Sequence, residues 1–198
     1  MNICYSFTVS EIRHYSEEEQ SIAVNILLLA FSSDPFQRYL MPGPSIYFQN
    51  STIWFNNIVS QSISIQALLG TENYSGVAVW FPPEHLVRFE AIEKTYKDFP
   101  DSIHQDIFKY FAEFEKNKPK DAWYLEYLGV DPRSHSLGLG SLILKESLSK
   151  IDDLHQPAYL ESSNPRNMSL YERHGFETVN KFQFGEGPPI HTMFREAR

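Results

Sequence analysis

The stretch "VDPRSHSLGLGSLIL", Val130–Leu144, decides how the chain is read. It leaves an apolar segment, passes Pro132 and a short polar loop, meets two glycines one residue apart, and enters an apolar run. Glycines at the mouth of a helix let bare backbone N–H groups approach a ligand, and the helix end adds a partial positive charge. The arrangement therefore favours an anion. Upstream, "AWYLEYLGV" (Ala122–Val130) is almost continuously apolar, as expected of a central strand. Downstream, Gly140–Ile151 is predicted as a helix and "PAYLES" (Pro157–Ser162) as a strand. Asn164 is predicted to cap a helix with Pro165 in its first position and Gly175 at its end. Two closing strands, Glu177–Phe184 and Ile190–Arg195, flank a "GEGPP" turn. Strands alternating with helices predict an α/β sheet in one domain.

The first half is read by the same rules. Phe7–Arg13 is predicted as a strand. Ser16 and Glu19 form a capping box, and Ile22, Ala23, Ile26, Leu27 and Ala30 recur at helical spacing. Asp34-Pro35 breaks that helix, and "SSDPFQRYLMPGP" is predicted as a loop. Ile46–Gln66 is a second, weakly periodic helix. "GVAVWFPPE" (Gly76–Glu84) is a strand stopped by a double proline. In the charged segment His85–Lys120, Leu86, Phe89, Ile92 and Tyr96 fit one amphipathic helix, and Ile103, Ile107, Phe111 and Phe114 fit another. "KNKPKD" is predicted as an exposed loop. No internal repeat interrupts the pattern.

Composition narrows the function. The 198 residues are 42% hydrophobic and 15% aromatic, enough for a sizeable core. A formal net charge of −8 argues against general nucleic-acid binding, which needs many phosphate-neutralising cations. It is compatible with a cationic small molecule. The one cysteine, Cys4, allows neither an internal disulfide nor a cysteine-based zinc site. The seven histidines show no metal-ligand spacing, so no metal is expected. The serines lack a nucleophile elbow. The N-terminus lacks the basic and apolar regions of a signal peptide, and "ILLLAF" is too short to span a bilayer. The expectation is a cytoplasmic protein without a membrane partner, monomeric or homodimeric.

Four readings of the glycine loop stand open. A dinucleotide fingerprint needs a third small residue where Ile143 stands. A P-loop needs a lysine that is missing. A plain βα turn uses glycines for geometry alone. The fourth reading is a cradle for the pyrophosphate of coenzyme A.

"LGVDPRSHSLGLGSLIL" resembles the acetyl-CoA loop of the GNAT superfamily of N-acetyltransferases. That loop carries Gln or Arg, two residues, Gly, one residue, then Gly or Ala. Here the positions hold His135, Ser136, Leu137, Gly138, Leu139 and Gly140. "NPRNMSLYERHGF" (Asn164–Phe176) resembles the helix that follows in the family. The resemblance covers Gly76–Pro82 and most of Trp123–Arg195. Within the superfamily the puromycin N-acetyltransferase branch is the nearest likeness, through "VAVW", "LES", "PRN", "YERHGF" and "EGP". It implies an α/β (α+β) GNAT fold, a central mixed, largely antiparallel sheet flanked by helices. This would span residues 1–198, with a helical insert at about 84–120. Two departures are visible. His135 carries a full charge only when protonated, and Ser136 stands where glycine is common.

The resemblance implies acetyl-CoA as co-substrate and a set of site residues. Leu128, Gly129 and Val130 would lie along the cofactor, with a backbone N–H near Leu128 as oxyanion donor where the two central strands splay. His135, Ser136, Leu137, Gly138, Leu139, Gly140 and Ser141 would hold the pyrophosphate. Asn164 and Asn167 would line the cofactor, and Tyr171 would protonate the leaving thiolate. Asn164, Asn167 and Met168 precede Tyr171 by seven, four and three residues and share its face, which is too polar for simple core. Acetyl transfer also needs a proton acceptor for the amine. Tyr124, Glu126, Leu128 and Val130 share a strand face by period two, so Glu126 is a carboxylate in an apolar strand. Burial would raise its pKa into a useful range. Glu161 and a water relay are rival bases. Phe36, Tyr39, Trp80 and Phe81 are candidates for an acceptor pocket, and Glu161 is a further substrate-binding candidate; ordinary core packing is the competing account of each aromatic. Arg133 and Arg166 flank the phosphate loop and the helix after Asn164, and either could meet CoA phosphates. The function implied is acetyl transfer to a primary amine of a small molecule, by direct attack in a ternary complex. A peptide amino-group acetyltransferase, a non-catalytic acyl-CoA sensor and a structural interaction module remain the alternatives.

Overall fold

A computed structural model describes residues 11–198. Among the described residues the chain forms a seven-stranded sheet in the order β1-β2-β3-β4-β5-β7-β6. Its strands are β1 (Ile12–His14), β2 (Leu68–Thr71), β3 (Gly76–Phe81), β4 (Trp123–Val130), β5 (Ala158–Ser162), β6 (Glu177–Phe182) and β7 (Ile190–Arg195). Pairing is antiparallel throughout except between β4 and β5, which run parallel. The expected mixed, largely antiparallel sheet is therefore present. The predicted first strand survives as Ile12–His14; its start, like Cys4, lies outside the described residues.

Helices cover both faces. On one side α1 (Gln20–Ala30) and α3 (Pro44–Ser64) bury Leu27, Phe55, Ile58 and Val59 against Val77, Val79 and Phe81. The helix α5 (Asp101–Asn117) adds Ile103, Ile107 and Phe114 to the same core. On the other side α6 (Leu139–Asp153) and α7 (Met168–Arg173) bury Ile143, Leu144, Leu148 and Tyr171 with Ala78, Trp80, Leu125 and Leu160. The alternating side chains of β3 feed both cores, which is why every residue of that strand is buried. Gly129 lets α1 approach β4, since a Cβ there would stand 2.9 Å from Leu27 Cδ2 and 3.1 Å from Ala30 Cβ.

Three predicted elements differ. "SSDPFQRYLMPGP" contains a helix, α2 (Pro35–Leu40), because Asp34 acts as its N-cap, accepting from Phe36 N and Gln37 N at 3.0 Å each. The first amphipathic helix expected after β3 shrinks to one turn, α4 (Glu90–Glu93), followed by a 3₁₀ turn at Tyr96–Asp98. Leu86 is left 87% exposed, outside any stripe. The strand β4 is not regular. It pairs Val79 with Tyr127 but Trp80 with Leu125, so Glu126 is an extra, bulged residue. The bulge reverses the side-chain alternation: Tyr124 lies in the α1/α3 core, whereas Leu128 packs on the α6 core. The expectation that Tyr124, Glu126, Leu128 and Val130 share one face is thereby corrected.

Candidate active site

The parallel pairing of β4 and β5 stops early. It covers only Trp123–Leu125 with Ala158–Leu160, while β4 continues to Val130 and β5 to Ser162. Beyond Leu125 the two strands part, and the sheet opens at its middle. A cavity of about 120 Å³ occupies the opening. Its wall includes Tyr124 and Tyr127 from one core and Leu125, Leu128, Leu160 and Tyr171 from the other. It therefore reaches through the sheet.

Two glutamates stand in the gap. The bulge turns Glu126 into it, where Oε2 is sealed from solvent without a hydrogen-bond partner. Burial, reinforced by the negative charge of Glu161 and opposed by Lys118, pushes the Glu126 carboxyl up to about 8. Glu161 is held differently. Tyr110 donates to its Oε2 at 2.9 Å and Tyr159 to its Oε1 at 3.1 Å. Burial still raises Glu161 to about 7, with the two tyrosine bonds and Lys118 pulling downward.

Tyr171 is buried in the α6-side core, and its ring meets that of Phe176 edge to face, with 6.2 Å between centroids. Burial, then the nearby Asp34 carboxylate, raise its hydroxyl above the ordinary range, so it keeps its proton. Asn164 and Asn167 line the same cavity. Their backbone is less regular than a single helix: Pro165–Asn167 is a 3₁₀ turn capped by the Asn164 side chain, which accepts from Arg166 N at 3.1 Å. Asp34 also lines the cavity and accepts from Ser163 Oγ at 2.9 Å, tying α2 to the end of β5.

The glycine loop lies at the N-terminus of α6. Gly138 adopts φ 77°, and a Cβ there would meet nothing within 4 Å, so the backbone faces open space. Ser136 has φ 64°, the left-handed conformation that glycine takes without strain. The first bond of the helix runs from Leu142 N to Gly138 O at 3.0 Å, so the N–H groups of Leu139, Gly140 and Ser141 precede it and point outward. Ser141 Oγ lies 2.8 Å from His174 Nε2, linking the loop to the end of α7. The His135 ring lies 3.2 Å from the Val130 carbonyl, and Arg133 forms a 2.7 Å ion pair with Asp131. A positive helix end, an open left-handed glycine and the β5-side edge of β4 from Leu128 to Val130, which has no strand partner, could hold an anion and an extended chain leading from it.

Comparison with known proteins decides the family. Residues 90–197 match the acetyltransferase (GNAT) domain family. The chain belongs to the GNAT acetyltransferases. It is an acyltransferase of that family, whose members use acetyl-CoA as co-substrate. It is 24% identical over 194 residues to an uncharacterized N-acetyltransferase of Schizosaccharomyces pombe, covering 88% of this chain and 78% of that protein. The fold of this GNAT chain is shared with solved structures. A Corynebacterium glutamicum protein described as histone acetyltransferase HPA2 and related acetyltransferase aligns with TM-score 0.73 at 19% identity, over 96% of this chain and 97% of that one. Arylalkylamine N-acetyltransferase 2 of Aedes aegypti aligns with TM-score 0.67 at 13% identity, over 96% and 100%. Drosophila melanogaster polyamine N-acetyltransferase, which forms N-acetylagmatine, aligns with TM-score 0.66 at 15% identity, over 94% and 99%.

Against this frame the candidate residues sort by place. Glu126, Glu161, Tyr171, Asn164, Asn167, Leu128 and Phe36 meet at one cavity. Trp80 does not: it is 2% exposed and buried on the α6 side, because its phase in β3 points it away from the α1/α3 face. Phe81 is sealed in the α1/α3 core. Tyr39 lines a smaller neighbouring hollow with Asp106 and Phe184, and its hydroxyl donates to Asp106 at 2.9 Å. Among the described residues no helix is long and apolar enough to cross a membrane. Sequence reasoning missed Tyr110, although its spacing from Ile107 and Phe114 places it on the stripe of α5. It also missed Tyr127 and the placement of Asp34 in the cavity wall. The bulge that admits Tyr127 leaves no mark in the sequence.

Proposed function

We propose that this GNAT chain transfers an acetyl group from acetyl-CoA to a primary amine of a small molecule, by direct attack in a ternary complex. The observation that carries the reading is the cavity through the sheet where β4–β5 pairing ends. The loop and α6 serve the cofactor on one side, and the aromatic wall of Phe36, Tyr110 and Tyr127 receives the acceptor on the other. The two substrates meet in the gap, which lowers the entropic cost of their encounter.

In this reading Glu126 takes the proton of the acceptor ammonium, directly or through one water. The neutral nitrogen attacks the thioester carbonyl, and the N–C bond forms as an oxyanion develops. A backbone N–H on the free edge of β4 near Leu128 stabilises that oxyanion. The C–S bond then breaks, Tyr171 gives its proton to the leaving thiolate, and the surplus proton on the new amide nitrogen is passed through water to restore the Tyr171 hydroxyl. Burial keeps Tyr171 protonated and also raises the proton affinity of the thiolate. Glu161, with both oxygens engaged by tyrosines, orients the acceptor. From the resemblance of its short motifs we also propose that the chain is related to the puromycin N-acetyltransferase branch.

The test is a screen of amines with acetyl-CoA, following free thiol and the acetylated amine by mass. Amine-dependent thiol release is expected. Cofactor binding without turnover on any amine would make the protein an acyl-CoA sensor instead.

A further inference from the structure

The acceptor side of the cavity offers few places for positive charge. Trp54, Phe89, Ile92 and Phe111 wall part of it. Trp54 alone among these four carries a polar side-chain atom, and its indole N–H already donates to Thr95 Oγ1 at 2.8 Å. Of the lining carboxylates, Asp34 accepts from Phe36 N, Gln37 N and Ser163 Oγ, and Glu161 accepts a tyrosine hydroxyl on each oxygen. Glu126 keeps an oxygen with no partner.

A fixed cation stands behind this wall. Lys118, the C-cap of α5, holds Nζ 4.9 Å from the Tyr124 ring centroid and 5.6 Å from that of Phe114. Both rings line the cavity and Lys118 does not. Its charge acts on Glu126 and Glu161 alike, so its field reaches the space between them. A cation on an aromatic face uses the ring quadrupole that a second cation would need. Through a layer of low dielectric the two cations also repel.

We propose that Lys118 is a specificity-determining residue that restricts the acceptor to amines with one cationic centre on an apolar or aromatic body. The proposal rests on the acetyl-transfer reading above and deepens it. A monoamine sets its ammonium beside Glu126 and its body against the aromatic wall. A diamine must strip water from a second ammonium that finds the Asp34 and Glu161 carboxylates already hydrogen-bonded and the charge of Lys118 opposing it, at a cost its remaining contacts do not offset.

The experiment compares phenethylamine with putrescine on the full chain, in the wild type, Lys118→Met and Lys118→Arg. Calorimetric titration into the CoA-saturated protein gives affinities independent of turnover, and initial rates give kcat/KM. The wild type is expected to prefer phenethylamine. Lys118→Met should lower that preference about tenfold, chiefly through the Kd and KM of putrescine, and Lys118→Arg should retain it. Lys118→Gln replaces the methionine variant if the latter melts early. A wild-type preference for putrescine, an unchanged ratio in a stably folded neutral variant, or failure of both amines to bind would overturn the proposal. Selective binding without acetylated product would support it and overturn the acetyl-transfer reading instead.

Discussion

In the proposed mechanism Tyr171 and Glu126 divide the proton traffic, and each role can be tested singly. Tyr171→Phe removes one oxygen and leaves the ring that packs on Phe176. Turnover should fall by about 10²-fold, the lower end of general-acid effects, since water can partly substitute. Affinity for CoA, measured by calorimetry, should stay near wild type; an equal loss of binding and rate would make Tyr171 a positioning residue. In that mechanism Glu126 sets the pH dependence. A base must be ionised to accept a proton, so the acid limb of kcat/KM follows its pKa. With the carboxyl pushed up to about 8, activity should climb through that pH and not level off in the ordinary carboxylate range. Glu161 is a negative neighbour that raises Glu126. Glu161→Gln should therefore move the limb to lower pH, by about half a unit. Comparing two enzymes on one amine cancels the ionisation of the amine. A limb that stays in place would transfer the base role away from Glu126.

At the scale of elements, the glycine loop and the bulged strand carry the argument. Ser136 holds φ 64° in a place where the family commonly has glycine. The residue departs from the pattern, yet the backbone keeps the left-handed turn. Ser136→Gly should relieve about 1 kcal/mol of strain and raise the melting temperature by about 2–4 °C, which a thermal melt will show. Gly138→Val should do the reverse. Its Cβ meets no protein atom, so the cost comes from φ 77° and, in the proposed site, from filling space the cofactor would take. A CoA Kd within about twofold of wild type in a folded Gly138→Val protein, little on the scale of binding free energies, would show that the pyrophosphate lies elsewhere. The loop was legible because its signals are local: proline, glycines, and the switch from strand to helix. The α2 helix was not, since Asp34-Pro35 reads equally as a breaker and as an N-cap with proline in the first turn. The bulge at Glu126 was hidden because it arises from pairing with β3, which no spacing within β4 records.

The whole molecule is a sheet opened at its centre, and the proposed mechanism brings cofactor and acceptor together in that one gap. Much of this was readable from residues. The strands from Gly76 onward, α5, α6 and the polar Asn164–Asn167–Tyr171 cluster lie where periodicity and caps placed them. The acceptor wall was not readable to the same degree. Aromatic residues are spread along the chain, and only tertiary packing separates Phe36, at the cavity, from Trp80, on the far side of the sheet. Tyr110 reaches Glu161 across 51 residues of sequence, a contact no local pattern encodes. The central claim is that both substrates occupy the gap together. Initial rates measured over a grid of acetyl-CoA and phenethylamine concentrations test it most directly. The geometry predicts double-reciprocal lines that intersect, with one acetylated amine formed per thiol released. Parallel lines, with an acetylated protein isolable in the absence of amine, would contradict it.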